Sequence, residues 1–263
     1  MPTPLELLTD PISLVSFTLY AMLLVCETIA PARPLPRVRG WWLQGVAAFL
    51  AFFFVSAYLP LWLSPYLAPL ALWDASALGT VAGGLLALLL YELLAYGYHR
   101  ALHSSDVLFR AFHQMHHSAE RLDVSGAFWF SPLDMIGFTC MSTLALSLVG
   151  FTPGAITAFA LANTLLAIFQ HTNVRTPRWL GYIVQRPESH SHHHARRIHR
   201  DNYADLPVID MLFGTFVNPR EFASEQGYYH GASQRVPEML LCRDVTSPSS
   251  APLDLRRSGE VTP

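Results

Sequence analysis

The chain of 263 residues contains no lysine; all 17 of its Lys+Arg positions are arginine. Against 19 acidic residues they leave a net charge of −2, which excludes the broad basic surface that nucleic-acid binding requires. Charge of either sign is scarce: 14% of residues are charged and 52% are hydrophobic, with a mean hydropathy of +0.30. That balance points away from a soluble domain and toward a membrane protein. Cysteine is nearly absent as well. Cys26, Cys140 and Cys242 lie far apart and form no CxxC, so neither a disulfide framework nor a cysteine metal or iron–sulfur site is expected. There is no GxGxxG and no glycine-rich phosphate loop, which leaves no module for a bound flavin or nicotinamide. HExxH and repeated Glu-x-x-His are also missing, which excludes a zinc-protease helix and the carboxylate-rich di-iron bundle.

Long apolar runs take the place of these features. Residues 11–30 match the roughly 20 residues that a helix needs to cross a bilayer core. No basic residue precedes Arg33, so this run reads as an anchor rather than a cleaved leader. A proline- and arginine-rich link leads to a second run, 41–62, with Trp41, Trp42 and Trp62 placed as interfacial anchors. Residues 63–76 read as a loop, followed by a third run over 78–98. The stretch from Met135 to Gln170 is interrupted by Gly150, Pro153 and Gly154, which divides it into spans at 135–150 and 154–170. No arginine falls within 41–99 or 122–174, so this layout puts every arginine on one side, which the positive-inside rule makes cytoplasmic. The expected fold is all-α: a multi-pass transmembrane helical bundle with a cytoplasmic helical cap, forming one domain over 1–243. The Pro- and Ser-rich residues 244–263 read as a disordered tail. A soluble helical protein with buried core helices is the competing reading.

Histidine is the residue in excess. Eleven of the 12 lie between His99 and His199. They fall in HRALH (His99, His103), HQMHH (His113, His116, His117), QHTN (His171) and HSHHH (His190, His192, His193, His194). Residues at i, i+3 and i+4 share a helix face, so each group can aim its imidazoles at one point. His99, His103, His113, His116, His117, His171, His190, His193 and His194 are nine rings in phase, more than the four ligands of a tetrahedral zinc and enough for two ions. His192 is out of phase with His190, and the residues leave open whether His199 is a ligand. All nine fall at helix ends or in segments on the arginine side. A bis-histidine haem protein would carry its ligands inside the spans.

The order HxxxH, HxxHH, a lone histidine after an apolar hairpin, and Pro187-x-x-His190-x-x-His193-His194 resembles the fatty acid hydroxylase and sterol desaturase superfamily. The following NYADLPVIDMLFGTF, with Asn202, Tyr203, Asp210, Phe213, Gly214 and Thr215, is similar to the segment that follows the last histidine box there. The resemblance covers roughly residues 78–220. One departure is Phe130-Ser131-Pro132 where many bacterial members carry His-Pro, so no tenth ligand comes from that position.

The resemblance implies a non-haem centre of two iron ions that uses molecular oxygen on a lipid C–H bond, with the nine histidines as ligands and zinc as a substitute in purified protein. Electrons would come from a separate electron-transfer protein, since the chain carries no flavin or haem module. Asp106, Glu120, Asn173, Glu188, Asn202 and Asp210 are candidates to fix the ligand rings through hydrogen bonds, Asn173 and Asp210 first among them. Phe128, Trp129, Phe130, Phe138 and Phe169 are candidates to line a lipid pocket, or simply pack within the membrane. Hydroxylation and desaturation are not separated by the sequence. A histidine-rich metal transporter and a zinc-dependent hydrolase are the alternatives from other classes.

Overall fold

The structure is a computed structural model and describes residues 1–248. A short helix, α1 (Pro4–Thr9), precedes two long apolar helices, α2 (Pro11–Ile29) and α3 (Trp41–Leu67). The third, α4 (Gly79–His103), leads into a broken stretch of two short helices, α5 (Asp106–Leu108) and α6 (Gln114–His117), separated by a wide π-turn at Phe109–His113. The hairpin of α7 (Pro132–Leu148) and α8 (Pro153–Phe169) follows, then α9 (Pro187–His193), α10 (Pro207–Phe213) and α11 (Val236–Leu240).

Local chemistry sets the helix starts. Asp10 caps α2, Ser131 caps α7 and Thr152 caps α8, each accepting from backbone N–H groups of the first turn, and each is followed by a proline at the first helical position. The ends were less legible. Residues 63–76, read as a loop from their prolines, are helical up to Leu67, with Pro60 and Pro65 inside α3. Each proline forgoes one i→i−4 bond, and the helix continues because lipid offers the backbone no other partner. A two-residue parallel pair, β1 (Trp73–Asp74) with β2 (Val149–Gly150), joins the far ends of the bundle and was not expected.

Helices Pro11–Ile29, Trp41–Leu70 and Ser76–His103 are long and apolar enough to cross a membrane. Only 17% and 11% of the first two windows are buried, so most of their leucine, valine and tryptophan surface faces outward, as lipid rather than water allows. The shorter α7 and α8 pack between them. Small residues let α4 and α8 approach closely: a Cβ on Gly84 of α4 would lie 3.0 Å from Ala158 of α8.

Residues 104–131 and 171–248 fold over the bundle end where α4 and α8 finish. Buried carboxylates tie them down. Glu27 of α2 accepts from the backbone N–H groups of Val124 and Asn173, Glu92 of α4 from Asp205 and Leu206, and Asp210 from Tyr203 and Ala204. Of the tail expected from 244, the described part is packed: Val245 is fully buried and its N–H donates to Gln114. The rest of that tail lies outside the described residues.

Candidate metal centre

The π-turn at Phe109–His113 and the helix Gln114–His117 lay HQMHH across the end of α4, where the last turn carries His99 and His103. His171 lies two residues past α8, and α9 brings His190, His193 and His194 over the top. The nine histidines separate into two groups. His99, His103, His113, His117 and His193 form one; His116, His171, His190 and His194 form the other. Within each, one nitrogen per ring lies within 4.8 Å of the others. The groups adjoin, with the His117 and His194 rings stacked at 4.2 Å.

The nitrogen spacing tests whether metal ions fit. Nε2 of His99 and His113 are 2.9 Å apart, His171 and His190 3.0 Å, His116 and His171 3.3 Å. Imidazole ligands at about 2.0–2.1 Å from one ion, set between square and tetrahedral angles, are separated by about 2.9–3.4 Å. His103, His117 and His193 each bury an Nε2 with no protein partner, and His194 buries both nitrogens unpartnered. Buried, unsatisfied and converging acceptors are what a bound cation would satisfy. Burial also holds the His116, His117, His190, His193 and His194 rings well below the usual imidazole range, and His171 at about 4. The rings are therefore neutral at physiological pH, the form in which imidazole ligates.

On several rings the opposite nitrogen is held by the protein, whereas His116 and His190 bury an Nδ1 with no partner. His99 Nδ1 donates to the Tyr203 carbonyl at 2.8 Å, His171 to Ala167 at 2.7 Å, His193 to Asp201 at 2.7 Å, and His113 to the Asp134 carboxylate at 2.6 Å. His117 Nδ1 lies 2.9 Å from Nδ1 of His199, which places His199 behind a ring rather than in either group. His192 points to Asp201 at 3.5 Å and joins neither.

Of the side chains expected to fix the rings, none of the described contacts reaches one directly. Asn173 donates to the Arg33 carbonyl, because the turn after His171 is fastened to the α2–α3 link. Asp210 clamps Tyr203 and Ala204 and so sets the carbonyl that receives His99. Glu188 pairs with Arg186 at 3.0 Å, Glu120 holds Gly231 and Ser233, Asn202 bridges Ser189 and Val217, and Asp106 is exposed. The direct side-chain contacts come instead from Asp134 and His199. Asp134 had a signal: besides Asp123 it is the only acid in 122–174, set at the start of an apolar run.

The loop carrying these contacts is strained. Arg197, His199, Asp201 and Asn202 all have positive φ, between 43° and 69°, which side chains with a Cβ rarely adopt.

An apolar cavity of about 80 Å³ runs from the rings of His99, His113, His116, His171 and His190 between the helices, past Phe52, Phe128, Phe130 and Phe138. Trp129 and Phe169 do not line it. A wider, wetter cavity of about 780 Å³ opens on the other side of the centre at His103 and His199, among Arg33, Arg196 and Arg197.

Comparison with known proteins gives the same picture over the same residues. The chain is 34% identical over 145 residues to the ornithine lipid hydroxylase OlsE of Rhizobium tropici, covering 51% of this chain and 41% of that one. It is 35% identical over 127 residues to the human alkylglycerol monooxygenase, covering 46% and 27%, and 29% identical over 164 residues to a very-long-chain aldehyde decarbonylase of Oryza sativa subsp. indica, covering 57% and 26%. The chain thus spans less than half the length of these relatives. No solved structure matches it. The Fatty acid hydroxylase family matches residues 84–215, half of the chain and every histidine of the two groups, and the chain belongs to that family.

Proposed function

We propose that the chain is a membrane-bound non-haem di-iron oxygenase that hydroxylates or desaturates a lipid, using molecular oxygen and electrons from a separate protein. The observation that carries this reading is the pair of adjoining histidine nests whose rings form the wall of an apolar cavity between membrane helices. His99, His103, His113, His117 and His193 would hold one iron, and His116, His171, His190 and His194 the other. When bound, the two irons supply the oxygen activation that an unactivated C–H bond demands.

The remaining work belongs to the chain. Phe52, Phe128, Phe130 and Phe138 exclude water and hold hydrocarbon against the His113 and His116 rings. Asp134 keeps a proton on His113 Nδ1 and the Tyr203 carbonyl keeps one on His99 Nδ1, which leaves each Nε2 free to ligate. Electrons would arrive from the water side, where the wide arginine-lined cavity reaches His103 and His199. That side is cytoplasmic in our reading, because the arginine-free segments 41–99 and 122–174 form the rest of the bundle. Hydroxylation is favoured by the names of the ornithine lipid hydroxylase and alkylglycerol monooxygenase relatives. A transporter would string its ligands along a path across the bilayer, whereas these nine gather at one end.

Anaerobic purification followed by metal analysis and incubation with oxygen, a reductant and a lipid panel tests the proposal. Two irons per chain and a product heavier by one oxygen, or lighter by two hydrogens, are expected. Lack of turnover across the panel by iron-loaded, reduced protein overturns it, as does lipid hydrolysis by a zinc form.

A further inference from the structure

The apolar cavity has one end that hydrocarbon cannot satisfy. Glu92 sits in α4 and is 1% exposed; its Oε2 accepts from the Asp205 and Leu206 N–H groups at 2.8 and 3.2 Å, while Oε1 is buried without a partner. Gln170, 6% exposed at the end of α8, donates its Nε2 to Asp205 Oδ1 at 2.6 Å and leaves its own Oε1 buried and unpartnered. Asn163, in α8, buries a third free oxygen, Oδ1. All three residues line the cavity that also touches His99, His113, His116 and His171. They come from two helices and line one cavity. Among the described residues, neither Glu92 nor Asp205 has an ion-pair partner.

We propose that Glu92, Asn163 and Gln170 form a polar subsite that takes a hydrogen-bond donor carried by the lipid substrate: a hydroxyl, an amide N–H or an ammonium group. The inference rests on reading the cavity as the lipid site. A buried oxygen left without a donor is costly, so a group that supplies donors to three of them is selected over one that supplies none. Two neighbouring carboxyl groups without a cation make the same end hostile to a lipid carboxylate. Subsite and histidine rings line the same cavity, so the donor and the carbon that meets the centre belong to one bound molecule.

Equilibrium binding to the purified full chain in detergent tests this without recourse to turnover. The probes are 1-hexadecanol, hexadecylamine, methyl hexadecyl ether and palmitate, each displacing a fluorescent alkane. The alcohol or the amine should bind at least about ten-fold tighter than the ether, with palmitate weakest. A stronger alcohol assigns the subsite to a neutral donor, and a stronger amine to a cation. Asn163→Leu and Gln170→Leu should each narrow the gap between donor and ether while leaving ether affinity in place. Glu92→Gln, which retains an oxygen for the two backbone donors, should reduce the amine's advantage most. An ether that binds as tightly as the alcohol overturns the proposal, and so does a donor preference that survives both leucine variants. A chain that shows the donor preference yet oxidises no lipid would sink the oxygenase reading and leave the subsite standing.

Discussion

Most of the nine clustered rings present one nitrogen to their neighbours and commit the other to the protein, and the kind of partner decides what a substitution can show. His99, His171 and His193 rely on backbone carbonyls of Tyr203, Ala167 and Asp201, which no side-chain change removes. His113 is different, since its Nδ1 donates to the buried Asp134 carboxylate at 2.6 Å. Asp134→Asn should therefore weaken metal binding by about 10- to 100-fold, the range typical of a lost partner behind a ligand, with helix content unchanged by circular dichroism. Chelator competition measures it, and unaltered affinity would remove Asp134 from the account. His199→Ala, which frees only His117 Nδ1, should cost less than Asp134→Asn in the same assay. The nine rings were readable because helix periodicity and spacing act through side-chain identity. Their supports were not, because three of them are carbonyls that any residue carries, and Asp210 acts on one only through the loop it clamps.

Among the elements, apolar length made the five apolar helices legible, of which three are long enough to cross a membrane, and it misplaced their ends for a physical reason. Proline predicts a break where water competes for the backbone, yet α3 runs through Pro60 and Pro65 to Leu67, where Ser64 donates its hydroxyl to the Pro60 carbonyl at 2.6 Å. The pairing of Trp73–Asp74 with Val149–Gly150 had no sequence signal, as two residues carry no period. The cap depends on how closely helices approach it. Gly45 of α3 lies under Ser125, where a Cβ would come 2.2 Å from the Ser125 carbonyl oxygen, and Trp41, one turn earlier, donates its indole N–H to Asp123 at 2.9 Å. Backbone blocks that added methyl, so either α3 or the Asp123–Ser125 turn must shift. Gly45→Ala should destabilise the protein by about 1–3 kcal/mol, the usual range for overpacking, seen as a lower thermal midpoint in detergent. Gly97→Ala, at a position inside α4 with no neighbour within 4 Å of the new Cβ, is the matched control and should not lower the midpoint.

At the scale of the whole molecule, burying so many imidazoles as neutral rings makes stability depend on acid. Burial holds His171 and His199 at about 4, against an ordinary value near 6.5. Between those values the unfolded chain binds more protons than the folded one, so stability rises with pH across that window. It is fully present above 6.5, declines as pH falls and is lost by about 4, each ring contributing on the order of 3 kcal/mol. Metal-free protein should accordingly unfold between pH 6.5 and 4, and metal should move that midpoint downward; an acid midpoint insensitive to metal would argue against ligation by these rings. The placement of charge makes a second prediction, about which way the bundle faces. Helices α2, α4 and α8 end, and α3 and α7 begin, beside the histidine cap, so the β1–β2 pair and the amino-terminal turn, where Tyr58 donates to the Pro2 carbonyl, lie at the other end. The segments that build that far end carry Glu6, Asp10 and Asp74 but no arginine, whereas Arg33, Arg100, Arg121 and Arg175 all stand at the cap. Since cationic segments are retained on the cytoplasmic face, the centre should open to the cytoplasm and the strand pair to the outside. In a background without other cysteines, exposed Cys242 should react with a membrane-impermeant maleimide only after cells are permeabilised, whereas Ser76→Cys should react in intact cells. The reverse pattern would turn the bundle over and move the proposed electron donor to the opposite compartment, while leaving the two histidine nests as they are.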